Sequence, residues 1–460
     1  MDKKIYTPRI GYSAFLLLTN FATRCHYNSV TLRGYENLPQ GESYILAPCH
    51  QQALMDPLVL LTKDNKPVVF LARADVFAKP FVRKILTWLR MMPIYRIRDG
   101  KESLGKNAEI FDNCREVLLH RMPLCLMAEG RHNNKHQLLP LVKGMFRIAG
   151  ETQKAMGDKP LYIVPAGLDY DQYEQTYSNA IIHIGQPIDV RPFMEDFTHD
   201  EPVALNKMRD TLGSAMKAQM HHIESKEHYD AFERISRIAL HPMRKAQHLR
   251  NTAWDRFETR RQITAKLDAM EQEAQTHEEG IQQLEQMLAL ENEYRGICQK
   301  RGITIDLATN QSHFWEWLLM LIGATAIVVG CVLEPWVLWG VIFAIICFPL
   351  TLVPTHLIAK KRIKDPQFRS TANYGIRYGF SLVYSLILLI TVLCCHGFLW
   401  MLATLAMIFV MGRLSGWITH ATRAALQYEW LNIISCFHAK DMRRLKEIEN
   451  ELAKRLNRTN

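Results

Sequence analysis

His50 and Asp56 stand in the run Ala47-Pro48-Cys49-His50-Gln51-Gln52-Ala53-Leu54-Met55-Asp56-Pro57, between a strand-like stretch (44–47) and an apolar, helix-like one (58–61). Neutral imidazole takes a proton from a hydroxyl near pH 7. A carboxylate a few residues on fixes its tautomer and steadies the imidazolium that forms. On an ideal helix, residues six apart lie about 240° around the axis. The pair therefore converges only across a loop or a distorted helix start. Asp56-Pro57 also reads as a helix N-cap with proline at the first helical position, and on this stretch alone both readings stand. Cys49 beside His50 raises a Cys–His dyad, yet adjacency in sequence does not bring side chains together and buried cysteine is common.

The elements that must position this pair are legible in outline. Short apolar runs at 43–48, 68–72, 92–96, 124–128 and 161–165 alternate with helical patterns, which predicts an α/β domain over 31–225 with a mixed sheet flanked by helices. Functional residues should then lie at strand ends and in the loops that follow. Residues 1–30 carry a brief apolar run without a small-residue cleavage site and read as an amphipathic helix on a membrane surface.

From 226 to 310 the chain turns charged and helical. Apolar residues recur at three- and four-residue steps from Leu249 to Ala274 and again from Ile281 to Leu288, with Gly280 as the expected break. That pattern predicts a helical hairpin or coiled coil, which would also serve homo-oligomerisation. Residues 314–418 predict four transmembrane helices, at 314–333, 336–358, about 380–395 and 398–418. Lys360, Lys361, Arg362, Lys364, Arg369 and Arg377 fill the middle loop while the two tight turns carry no Lys or Arg. The positive-inside rule then sets that loop, both termini and the α/β domain on the cytoplasmic side of a multi-pass protein. Arg413 falls in or near the end of the last span: an intramembrane charge is a functional candidate, and the favoured reading is that it snorkels to the interface. A basic helical tail at 419–460 suits an anionic leaflet.

Composition agrees. A net charge of +10 over 460 residues suits an anionic partner, and the long apolar segments favour lipid; no nucleic-acid module is visible. Ten scattered cysteines without a CxxC pair fit reduced thiols. No histidine spacing persuades for zinc, so His132 and His136 read as loop residues and no metal is expected.

Three further motifs follow in order. Met92-Pro93-Ile94-Tyr95-Arg96-Ile97-Arg98 ends an apolar run with two arginines. Ala128-Glu129-Gly130-Arg131-His132 follows another, with Leu141-Val142-Lys143-Gly144 close behind, and Ile163-Val164-Pro165-Ala166-Gly167 closes a third. Cations after strands, beside glycines that expose backbone N–H groups, suit a phosphate monoester.

Taken together, residues 30–190 resemble the glycerolipid acyltransferase superfamily, the glycerol-3-phosphate and 1-acylglycerol-3-phosphate O-acyltransferases. The resemblance implies His50 as general base with Asp56 its partner. It implies Arg96, Arg98, Arg131 and Lys143 as phosphate ligands, and Glu129 and Gly130 as part of the acceptor site. Val164-Pro165 matches the fourth motif. Five residues separate His50 from Asp56 where the family pattern has four, as in some glycerol-3-phosphate acyltransferase-like branches. Cys49 replaces the usual asparagine, Ala128 the usual proline, and Arg131 stands one place early. The implied activity moves a fatty acyl group from acyl-CoA or acyl carrier protein to a glycerol phosphate hydroxyl, with no cofactor and with membrane lipid as a partner. A lyso-lipid acceptor and glycerol 3-phosphate both remain open. The contrasting reading is a catalytically inactive membrane scaffold or lipid-binding protein on the same fold.

Overall fold

The computed structural model describes residues 5–7, 9–64, 66–95, 107–173, 177–309, 318, 363 and 366–458. The chain divides into two units. One comprises Met1–Arg24, Val30–Tyr173 and Asn179–His222; the other comprises Cys25–Ser29, Glu174–Ser178 and Ile223–Asn460.

The sheet forms from helix α1 (Tyr12–His26) onward. Its elements are β1 (Ser29–Arg33), β2 (Ser43–Pro48), α2 (Met55–Leu61), β3 (Val69–Arg73), α3 (Pro80–Trp88), β4 (Met91–Ile94), α4 (Asn107–Leu119) and β5 (Leu124–Cys125). They continue with α5 (Gly144–Met156), β6 (Leu161–Tyr170), β7 (Asn179–Ile184), β8 (Ile188–Asp189), α6 (Met194–His199) and α7 (Glu201–Lys217). The strand order is β1-β7-β6-β2-β5-β3-β4, with β8 pairing β6 off this path. Pairs β2–β5, β2–β6, β3–β5 and β3–β4 are parallel, whereas β7 and β8 run antiparallel to β6.

The mixed sheet flanked by helices agrees with the sequence reading, with differences that matter. Strand β2 is buried along its whole length, as a continuous apolar run in a central parallel strand should be. Strand β5 ends at Cys125, so the expected run to 128 leaves the sheet early and frees Glu129 for a turn. Strand β6 runs on to Tyr170, five residues beyond the apolar run seen in sequence, because β7 pairs with that extension from Ala166 to Tyr170. Helix α1 exposes Leu17 and Leu18 and packs Tyr12 and Phe15 against Trp88 of α3.

The second unit gathers α8 (Tyr229–Ile238), α9 (Leu240–Ala246), α10 (Ala253–Ala274), α11 (Glu278–Arg301), α12 (Ile305–Ala308), α13 (Pro366–His396), α14 (Phe398–Phe437) and α15 (Ala439–Arg458). Phe232, Leu267, Met287, Tyr294, Ile448 and Leu452 share one buried cluster. Helices α10 and α11 form the hairpin, but the break falls at 275–277 and Gly280 lies inside α11. A Cβ at Gly280 would stand 2.7 Å from the backbone of Glu273 and Ala274, so this glycine serves the close approach at the hairpin's turn. The basic tail also differs from a helix lying on a leaflet, because the apolar face of α15 is spent on this cluster. Its basic face pairs with α11 through Arg444–Glu293, and Asp441 pairs with Arg301.

The expected spans at 314–333 and 336–358 lie outside the described residues, residue 318 excepted. Of the described helices, the stretch Phe368–His396 is long and apolar enough to cross a membrane, with mean hydropathy 2.2. Leu382, Leu386 and Ile390 on it are exposed. Gly397, at φ +85°, turns the chain into α14, a position that favours glycine. Helix α14 has 40 residues, about 60 Å, and so outruns the expected span ending at 418.

One glycine ties the sheet to the chain after α7. A Cβ on Gly167 in β6 would sit 2.0 Å from the carbonyl oxygen of Gln219, a backbone atom that cannot swing aside. Gly167→Ala should therefore destabilise the protein by at least the ~1–3 kcal/mol of an overpacked core, read as a lower melting temperature. An unchanged melt would overturn this packing.

Candidate active site

The chain leaves β2 at Pro48, and the loop 49–54 carries it into α2. Cys49 is locked at the start: its N–H donates to Ala166 (3.0 Å) and its sulfur accepts from the N–H of Leu168 (3.1 Å). Burial, reinforced by Glu129, holds its thiol well above the usual cysteine range. A thiolate nucleophile is thereby disfavoured, and Cys49 is a packing residue.

His50 follows at the loop's mouth, with its side chain 18% exposed. Its Nδ1–H donates to Asp56 Oδ2 at 2.7 Å. The same oxygen accepts the N–H groups of Gln51 and Gln52, each at 2.8 Å, and Oδ1 accepts the Tyr170 hydroxyl at 2.6 Å. Asp56 is completely buried, so these donors replace the water its charge has lost. Asp56 is not the helix cap considered from sequence. Leu54 occupies that position, Asp56 lies inside the first turn, and its carboxylate reaches back to the loop. The extra residue between His50 and Asp56 is absorbed by bending: Ala53 takes φ +42°, in the left-handed region. Tyr170 was missed in sequence because it lies beyond the apolar part of β6.

Glu129 is buried in a turn closed by Gly130 N–H to the Met127 carbonyl, with Gly130 at φ +66°. One carboxylate oxygen accepts the His50 N–H (2.8 Å) and the other the Leu139 N–H (2.9 Å). Its direct role is thus to clamp the backbone under His50 to the loop before α5. Burial pushes its carboxyl up to about 7, against the opposing pull of those two donors and of His50. The Asn133 N–H donates to the His50 carbonyl, and the His132 ring meets the His50 ring edge-on at 5.6 Å.

Arg131 is exposed beyond this turn. Lys143 is exposed at the N-terminal end of α5, where free N–H groups and the helix dipole favour an anion. Arg96 and Arg98 lie outside the described residues, as does the side chain of Arg413. Val164 and Pro165 lie inside β6, paired with Leu46 and Ala47.

The structure also brings together three residues that sequence spacing did not connect. His136 from the loop before α5, Asp169 of β6 and His221 after α7 are buried, each with a ligand-type atom within 4.8 Å of the others. Separations of 33 and 52 residues concealed the cluster.

With Nδ1–H committed to Asp56, the lone pair of His50 resides on Nε2, and the ring is oriented on both its side-chain and backbone sides. That is the arrangement of a general base for a hydroxyl. Residues 29–169 match the family model described as Acyltransferase, so this part of the chain is similar to that family. Among solved structures, the 1-acyl-sn-glycerophosphate (LPA) acyltransferase PlsC from Thermotoga maritima is 18% identical. The match covers 47% of this chain and 86% of that one, with a TM-score of 0.32. No curated protein sequence matches the chain.

Two predictions follow from the carboxylates. Glu129 is raised from 4.5 to about 7 on folding, so between those values the folded protein binds the extra proton. Stability contributed by this group must fall as pH rises through that window. The melting temperature of the wild type relative to Glu129→Gln should decline from about pH 4.5 to 7 and then level off; a pH-independent gap would refute the assignment. Tyr170→Phe strips a buried acceptor of its donor, a cost of about 1–3 kcal/mol. Since the Tyr170 hydroxyl acts on His50 by way of Asp56, kcat should fall with KM unchanged. Tyr173→Phe, which loses a hydroxyl bonded to the Gln51 side chain, should change kcat less.

Proposed function

We propose that this protein is a membrane-bound O-acyltransferase that moves a fatty acyl group from an acyl thioester to the free hydroxyl of 1-acylglycerol 3-phosphate. The observation that carries this reading is the 2.7 Å His50–Asp56 contact, with the carboxylate held by three further donors. His50 Nε2 takes the acceptor's hydroxyl proton as its oxygen bonds to the thioester carbonyl carbon. The tetrahedral oxyanion collapses, the C–S bond breaks, and the imidazolium returns the proton to the departing thiolate of CoA or acyl carrier protein. The buried charge of Asp56 steadies the imidazolium in between. Glu129 with Gly130 sets the floor of the acceptor site. Arg96, Arg98, Arg131 and Lys143 receive the acceptor phosphate.

The lyso-lipid is favoured over glycerol 3-phosphate by the apolar helix within α13 and the exposed leucines of α1, which suit a site working at a bilayer. The reading includes the four spans between 314 and 418, with the acyltransferase domain and both termini cytoplasmic.

The test is an assay of full-length protein in detergent with labelled acyl-CoA or acyl carrier protein, offering lysophosphatidic acid and glycerol 3-phosphate separately. Product should form faster with the lyso-lipid, and His50→Ala should lower turnover by about 10²–10⁴-fold. Equal product from wild type and His50→Ala would overturn the role of His50. Failure of the wild type with every donor–acceptor pair would return the fold to a non-catalytic lipid-binding role.

A further inference from the structure

We infer that His136, Asp169 and His221 form a buried binding site for a divalent transition metal of the zinc type. All three side chains are more than nine-tenths buried. They arrive from a loop, a strand and the segment after α7, and none is adjacent to another in sequence. Their donor set, two imidazoles and a carboxylate, is one that zinc and its neighbours in the first transition row accept.

The distances favour a shared ion. His136 Nδ1 and Asp169 Oδ1 are 3.4 Å apart. A normal N–H···O bond spans about 2.7–3.2 Å, whereas two ligands about 2.0–2.1 Å from a tetrahedral zinc are separated by about 3.3–3.4 Å. The His136 and His221 rings lie 4.3 Å apart between centroids and are inclined by 44°, and all three candidate ligand atoms fit within 4.8 Å. A divalent ion there compensates the buried Asp169 charge while keeping both imidazoles neutral.

The surroundings assign the ion a structural task. Leu138 N–H donates to His222 Nδ1, fastening the His136 loop to the His221 segment beside the cluster. Asp169 precedes Tyr170, whose hydroxyl holds Asp56. The His136 ring packs 5.8 Å from that of Tyr173, whose carbonyl accepts from the Gln52 side chain. Three protein donors leave a tetrahedral position for water, but burial keeps that position from substrate. The ion would staple the end of β6 and so set the shelf on which the dyad rests.

The experiment uses full-length protein in detergent, without a polyhistidine tag and purified without chelator. Metal analysis should find about one zinc-type ion per chain. After chelation the melting temperature should fall, and added Co²⁺ should restore it, with one equivalent taken up and visible d–d bands appearing. His136→Asn and His221→Asn should each weaken Co²⁺ binding by more than the ~10–100-fold that loss of an outer partner costs. No stoichiometric uptake by wild type, with a melt indifferent to chelator, would overturn the site and leave a hydrogen-bonded cluster. Uptake undiminished in both variants would overturn it too, by placing the metal elsewhere. Should the variants fail to fold, the wild-type Co²⁺ spectrum and chelator response decide. None of these readouts depends on acyl transfer, so they stand or fall separately from the proposed activity.

Discussion

The buried carboxylate of Asp56 is the constraint from which the site's geometry follows. An ionised group with no solvent exposure is tolerable only if its oxygens are occupied by donors. Four come from two parts of the chain: two amides and the His50 ring from the loop, and the Tyr170 hydroxyl from β6. The amides must fold back over the helix start, which accounts for the left-handed turn at Ala53. The hydroxyl must arrive from β6, whose pairing with β2 runs to Pro48 opposite Ala166 and leaves Tyr170 four residues further on. The imidazole orientation is therefore a result of solvating a charge, accomplished by the fold before any substrate is present.

Glu129 completes the same logic from the opposite side. Asp56 holds the ring of His50 while Glu129 holds its backbone amide, so neither rotation nor drift of the residue is free. The two carboxylates also feel each other, since Asp56 adds to the upward push on Glu129. Preorganisation of this kind fits the His50 ring for the proton transfer that the proposed reading assigns to it.

Much of this was legible in sequence, for identifiable reasons. Strand β2 and the His50 loop announce themselves because a buried parallel strand is a continuous apolar run. Glu129-Gly130 stands out by its place after an apolar run, third in the ordered motifs of the family the chain resembles. Tyr170 was hidden because β6 becomes polar where β7 joins it, and antiparallel pairing sustains a strand that apolar patterning does not show. The His136–Asp169–His221 cluster was hidden for another reason: its members meet only through sheet register and the path of the chain after α7. The hairpin turn falls before Gly280 because the glycine that permits close approach lies in the first turn of the helix rather than at the break.

The extra residue between His50 and Asp56 informs on loop path and not on acceptor. An insertion there must break the contact or bend the chain, and the bend at Ala53 keeps the contact. Acceptor choice on the proposed reading therefore belongs to groups remote from the dyad and to where the site is held. A lyso-lipid resides in the bilayer, so an enzyme tethered beside it meets its acceptor at a high effective concentration and without extraction into water. Glycerol 3-phosphate gains nothing from such tethering. On the proposed reading an apolar helix with exposed leucines takes part in substrate selection, and its contribution should be sought in KM for the lipid acceptor.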